Sequence, residues 1–435
     1  MAAKFLSLHS DMFCYAGETH IIPLTVSMFG QNACQKSKVN HCIQFLRGQL
    51  MTSMVTMPRF SVGKGAHPAN LIFDEAAVEQ VLSTLRSLLL AGCHGRPLYV
   101  AMLQLLRNLL AERDPRTIIG EKTPSNIFAQ AEYGGGDGPV PVVVMREPLG
   151  VVRSMRGRQD CYADPFGGEI ESCIGIYLDY GAACLACLEN PRGIQVRYEE
   201  MAEDPAKVLR STYALFGREP EERVIRFVEK GGDKEVADRA PMNYKRLAVN
   251  ANIESLTPLD AWKIMEFTRP IRQAAGYSDA EMQRMGYNVP EACPAAEVPK
   301  MVVPLGGFHP SQADSCAWMQ RQGRLVAYMP KAKSTTLRLF FWSSFPDLVT
   351  NGTPVELSLF VDGKERDRVQ VTKKNGAAVL QVTLFGEDLK DFGPSGHYAI
   401  LEIRSSLAYA PITACEDTVD GRVVSFVLTS WAMHS

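Results

Sequence analysis

The stretch Val142-Val-Val-Met145-Arg146-Glu-Pro148-Leu-Gly-Val-Val-Arg153-Ser154 decides how this chain is read. A run of apolar, mostly β-branched residues predicts a buried strand, and the arginine that follows ends it. Pro148 then turns the chain into a helical pattern, since proline suits a first helical position. A strand, a charged residue and a helix in that order form one step of a parallel α/β arrangement. Ligands of such folds bind outside the carboxyl ends of the strands, where Arg146 stands. An arginine fork with the hydroxyl of Ser154, about two turns into the helix, suits a terminal phosphate. Taken alone, the same residues also read as a surface arginine and a helical serine.

Working outward, the pattern repeats. Thr117-Ile-Ile-Gly120 predicts a strand that ends in Glu121-Lys122-Thr123-Pro124. A lysine there can neutralise charge developing on a transferring group. Ile194-Gln-Val-Arg197 predicts another strand, followed by Tyr198-Glu-Glu and a helix opened by Asp204-Pro205. Helices are expected over 74–91 and 98–110, where apolar residues recur at helical spacing, and again over 170–189 and 205–216. Near the start, a short apolar run leads into Tyr15-Ala-Gly17-Glu18-Thr19-His20, which offers a carboxylate or an imidazole as general base. The fold class expected for this half is a doubly wound parallel sheet with helices on its faces.

Prolines 290, 294, 299 and 304 interrupt all periodicity and predict a linker. Beyond it the period shifts to two. Runs starting at Thr336, Val355, Val369, Ala378, Tyr398 and Arg422 alternate, with Asp362-Gly363 and Asn375-Gly376 as turn signals. The organisation expected is therefore 1–288 as the α/β domain, 289–304 as linker and 305–435 as an all-β sandwich.

Composition narrows the class further. The 435 residues are 46% hydrophobic and 22% charged, as in folded globular proteins, and the net charge is −2. Lys plus Arg at 46 against Asp plus Glu at 48 argues against a nucleic-acid-wrapping surface. No 18 consecutive apolar residues occur, so no membrane span is expected. Neither a signal peptide nor a metal site is expected, and the 11 scattered cysteines read as reduced thiols of a cytoplasmic protein. Cys184-Leu-Ala-Cys187 lacks a second pair to complete a zinc site.

Arg146 with Ser154, Glu-Lys-Thr-Pro before them, and Val-Arg-Tyr-Glu with Asp-Pro after them together resemble the sulfotransferases that use 3′-phosphoadenosine-5′-phosphosulfate (PAPS). The opening 6–23 resembles the tyrosylprotein-sulfotransferase-like branch, which is common among bacterial enzymes. The resemblance covers residues 1 to about 285 and implies a P-loop NTPase-like fold. It implies that Arg146 and Ser154 hold the 3′-phosphate of the donor and that Tyr198 packs near it. Lys122 would stabilise the leaving side. Glu18 would be the base, with His20 in reserve and Gly17 at the alternative alignment. Asn243-Tyr244-Lys245 would add late contacts. The acceptor expected is a hydroxyl of a carbohydrate or of a protein tyrosine.

The family's 5′-phosphosulfate loop should lie just before Lys4, so a missing start is expected. Tyr328-Met-Pro-Lys-Ala-Lys333-Ser-Thr-Thr resembles that loop but has Lys333 where a glycine is needed. Gly63-Lys64 does not complete a Walker loop. A P-loop kinase and a non-catalytic glycan- or protein-binding scaffold stay open as alternatives. In the β half, Gly307-Phe-His-Pro310, Trp318 and Arg422 resemble sandwich modules attached to glycan-modifying enzymes. Trp318, Trp342 and Trp431 read as core or rim residues.

Overall fold

The computed structural model describes the chain apart from residues 1–4, 16–17, 57–73, 136–137, 163–169, 240–255, 295–296, 310–316, 344, 347–349, 373–375, 395, 416–417, 419–421 and 435. The protein is mixed α/β and divides into two compact units. One comprises Met1–Arg146, Ala183–Ala251 and Glu416–Val419; the other comprises Glu147–Ala182, Asn252–Cys415 and Asp420–Ser435.

In the first unit, β1 (Met12–Tyr15) pairs in parallel with β2 (Ile118–Glu121), Tyr15 lying beside Glu121. Likewise β3 (Val142–Met145) pairs in parallel with β4 (Ile194–Arg197), Met145 beside Arg197. Parallel neighbours need long crossovers. Between β1 and β2 the chain forms the helices Ile21–Phe29, Val39–Thr56, Glu75–Leu90 and Gly95–Arg113.

The helix Glu75–Leu90 starts where Asp74 accepts a hydrogen bond from the Ala77 amide at 2.8 Å. It buries Val78, Val81, Leu82, Leu85 and Leu89 on one stripe and ends before Gly92, whose φ is +77°. Met12, Val196, Leu209, Tyr213, Val224 and Phe227 form a buried cluster. Ile118, Val142 and Ile194 pack against the same cluster, so both strand pairs share one core.

The expected single doubly wound sheet is met only in part. Among the described residues the four strands form two separate two-stranded parallel sheets. Alternation of strand and helix dictates parallel direction but not which strands lie side by side, and four-residue strands offer few hydrogen bonds to settle it.

The second unit is dominated by a nine-stranded antiparallel sheet in the order β10-β7-β13-β6-β12-β8-β9, with β5 on β6 and β11 on β12. Its strands are β5 (Met301–His309), β6 (Ala317–Pro330), β7 (Ser334–Ser343), β8 (Val355–Val361), β9 (Lys364–Val371), β10 (Gly376–Phe385), β11 (Lys390–Asp391), β12 (Gly396–Ser405) and β13 (Val427–His434). Asp362 and Gly363, at φ +47° and +75°, make the two-residue turn between β8 and β9 that the sequence announces. Asn375 lies outside the described residues.

A bond from the Gln381 amide on β10 to the Asp367 carboxylate on β9 (2.7 Å) draws the two ends of the strand order together. The sheet is therefore curled almost into a barrel around Leu325, Leu339, Phe341, Leu359, Leu380, Leu401 and Phe426, rather than split into the two layers of a sandwich. The stretch from Tyr328 to Thr336 that resembled a phosphate loop is the end of β6, the short turn after it and the start of β7, two strands that are not paired with each other.

Part of the helix Ile170–Leu188 belongs to this second unit. The helix is long and apolar enough to cross a membrane by length and composition. Its polar residues are paired within the unit. Buried Glu171 accepts from Lys263 Nζ at 2.6 Å and from the Tyr328 hydroxyl at 2.9 Å. Asp179 accepts from Arg324 Nη1 at 2.8 Å and from the Gly307 amide at 2.9 Å. Gly175 is needed because a Cβ there would stand 2.1 Å from the Leu305 carbonyl oxygen of β5. These are the features of a core helix. Cys184 and Cys187 sit near the helix's end, and burial pushes their thiols up to about 12 and about 11.

Candidate active site

The register of β1 and β2 brings two distant segments out at one edge. Glu18 lies three residues past the end of β1, and Lys122 directly follows β2. Lys122 Nζ donates to Glu18 Oε1 at 2.7 Å, and His20 Nε2 lies 3.3 Å from Glu18 Oε2. All three side chains are about one-third exposed, at 36%, 35% and 29% for Lys122, Glu18 and His20. Burial acts to raise the Glu18 carboxyl, but the His20 hydrogen bond and the Lys122 ammonium outweigh it and hold the group at about 2. The three candidates read from the sequence as base, reserve base and leaving-side lysine thus form one contiguous cluster.

His20 is also the residue before the helix Ile21–Phe29, and its φ of +55° places it in the left-handed region, uncommon for a residue with a Cβ. That turn is held from beneath by Glu121, the last residue of β2. The Glu121 carboxylate accepts from the Thr19 hydroxyl at 3.1 Å and the Thr19 amide at 3.4 Å, and also from Thr123 and Asn126. The Thr19 amide is shared with Thr123 Oγ1 at 3.1 Å. Burial raises the Glu121 carboxyl despite these hydrogen bonds. The Glu18 and Glu121 carboxyl groups are therefore pushed in opposite directions. Glu121 was not singled out in the sequence. The available signal was an acid at the final position of an otherwise apolar strand, one residue before Lys122.

A second pair forms at the ends of β3 and β4. Because Met145 pairs with Arg197, the next residues on the two strands are Arg146 and Tyr198. The Arg146 guanidinium carbon lies 4.6 Å from the centre of the Tyr198 ring, a cation–π stack. Stacking of this kind holds a guanidinium flat against the ring. Ser154 is exposed on the helix Pro148–Tyr162, which belongs to the second unit. Glu147 accepts from the Gly150 amide at 3.0 and 2.8 Å at that helix's start. Gly17, Gly63-Lys64 and Asn243-Tyr244-Lys245 lie outside the described residues. Among the described residues, no group of three His, Cys, Asp or Glu is placed to hold a metal ion.

No protein-family model matches the chain, and no curated protein matches it. Among solved structures it is similar to the sulfotransferase domain from the curacin biosynthetic pathway, at 14% identity over 66% of this chain and 93% of that one, with a TM-score of 0.32. It is similar to a sulfotransferase from Alicyclobacillus acidocaldarius at 15% identity, over 55% of this chain and 87% of that one, with a TM-score of 0.24. A third similar structure is the EclA C-terminal domain, a sugar-binding protein, at 11% identity over 35% of this chain and 95% of that one, with a TM-score of 0.18.

Proposed function

We propose that this chain transfers a sulfuryl group from PAPS to a hydroxyl of an acceptor, a carbohydrate or a protein tyrosine. The observation that carries the reading is the Lys122–Glu18 contact of 2.7 Å at the common edge of two parallel strands. Such a transfer needs a base for the acceptor proton and a cation for the charge that gathers on the leaving oxygen. Lys122 and Glu18 supply both in one place. As they stand they neutralise each other, and a carboxylate held at about 2 is a weak base. An anionic donor competes for the Lys122 ammonium. Once the lysine turns to it, Glu18 loses an opposing charge and its proton affinity rises. Arrival of the donor thereby readies the base.

Arg146 stacked on Tyr198 provides a flat cation beside an aromatic face, which suits the 3′-phosphate of the donor. Calorimetric titration of the full chain with adenosine 3′,5′-bisphosphate, AMP and ATP with Mg²⁺ tests the reading. Selective binding of the bisphosphate supports it. Preference for ATP with Mg²⁺ would replace it with a kinase, and no nucleotide binding at all would count for a non-catalytic scaffold.

A further inference from the structure

Two cysteines that play no part in this site have their sulfurs in contact. Cys34 follows the helix Ile21–Phe29 and precedes the short turn of 3-10 helix Lys36–Lys38, while Cys42 lies in the first turn of the helix Val39–Thr56. Their Sγ atoms are 3.7 Å apart, and both residues are buried, at 5% and 0% exposure. A disulfide bond is about 2.05 Å long. Lys38 sits between the two in sequence and is itself buried at 8% exposure.

We infer that Cys34 and Cys42 are a modification site, forming a reversible disulfide when the protein meets a peroxide. Cys34 is the attacking sulfur. The hydrogen bond from Cys42 lowers its pKa, burial opposes this, and the charge of Lys38 lowers it further. The Cys42 thiol is raised by the same hydrogen bond and by burial, so it keeps its proton.

The Cys34 thiolate attacks one peroxide oxygen and the O–O bond breaks. The departing hydroxide takes up a proton to become water, and Cys34 is left as a sulfenic acid. The Cys42 sulfur then attacks the Cys34 sulfur, the S–O bond breaks, and the hydroxyl leaves as a second water with the Cys42 proton. Two thiols and one hydrogen peroxide give one disulfide and two waters, with the sulfurs oxidised and the peroxide oxygens reduced. A dithiol reverses the bond. Closure would fix the corner between the helices Ile21–Phe29 and Val39–Thr56, and the first of these begins directly after His20.

The test treats the native full-length chain with hydrogen peroxide, blocks the remaining thiols with iodoacetamide and maps tryptic peptides without reduction. Lys36 and Lys38 separate the two cysteines, so the expected product is peptide 5–36 joined to peptide 39–47, lost on addition of dithiothreitol. Cys14 shares the first peptide, so fragmentation must find Cys14 alkylated and Cys34 linked. In Cys42→Ser, dimedone should label Cys34 at least ten times more than in the wild type. Recovery of both Cys34 and Cys42 as alkylated thiols after peroxide consumes the half-exposed Cys93, or linkage through Cys14, would overturn the inference. If Cys42→Ser does not fold, the wild-type peptide map decides alone.

Discussion

Replacing Lys122 with alanine tests the core of the site without any knowledge of the acceptor. In the folded protein Glu18 sits at about 2 rather than the usual 4.5, against the effect of its own burial. An opposite charge in contact lowers a carboxyl by about 1–3 pH units. Both partners are about one-third exposed, so solvent screening places this pair at the low end of that range. Lys122→Ala should therefore move Glu18 up by about one pH unit, with His20 still holding the rest.

Carbon-detected NMR of glutamate-labelled protein, with Glu18 assigned from its absence in Glu18→Gln, reads this directly. The sign carries over to stability. A depressed carboxyl contributes stability that is fully present above its unfolded value and is lost as pH falls through about 2. In the variant that contribution should be smaller and its loss complete at a higher pH, because the folded value lies closer to the unfolded one. If Glu18 stays at about 2 in Lys122→Ala, the lysine does not hold it, and the reasoning that donor arrival readies the base fails.

Arg146→Ala should weaken binding of adenosine 3′,5′-bisphosphate by about 10–100-fold, the cost of about 1.5–3 kcal/mol for a charge-assisted hydrogen bond. Equal dissociation constants by calorimetry would remove Arg146 from the phosphate site. Within the second unit, Tyr328→Phe should cost about 1–2 kcal/mol by removing one donor to Glu171. Lys263→Met should cost about 3–5 kcal/mol by leaving that buried carboxylate without its cation. Urea denaturation ranks the two, and the reverse order would mean that Glu171 is not charged in the fold. Asp11 is held at about 2 by hydrogen bonds from Thr117 and Arg218, so Asp11→Asn should destabilise the protein at pH 7. That difference should vanish as pH falls through about 2, and a constant difference from pH 7 to pH 2 would show that charge plays no part.

The strands at 118–121, 142–145 and 194–197 were legible because each is an apolar run cut short by a charged residue. Met12-Phe-Cys-Tyr15 was not read as a strand, for it carries no β-branched residue. Lateral pairing was not legible either, since nothing in a four-residue run names its neighbour. Alternation along β7 and β10 correctly marked one buried face per strand. It does not report whether that face meets a second sheet or the far side of its own, and here it meets its own. In the site, Glu18, His20 and Lys122 were each readable as chemistry. Their contact was not, because 104 residues separate Glu18 from Lys122 and only the β1–β2 register joins them. Glu121 was hidden by its place in the strand, where its support of Thr19 depends on the turn folding over it.

The pairing of Glu171 with residues far along the chain bears on how the protein is made. Lys263 leaves the ribosome 92 residues after Glu171, and Tyr328 leaves 157 residues after it. At roughly 5–20 residues per second, the glutamate waits about 8–30 seconds for its last partner. For most of that interval the apolar helix Ile170–Leu188 has emerged while β5, the strand that accommodates Gly175, has not been synthesised. A nascent chain in this state presents the kind of surface that trigger-type chaperones and co-translational aggregation compete for, and slowing translation near residue 300 would lengthen the exposure.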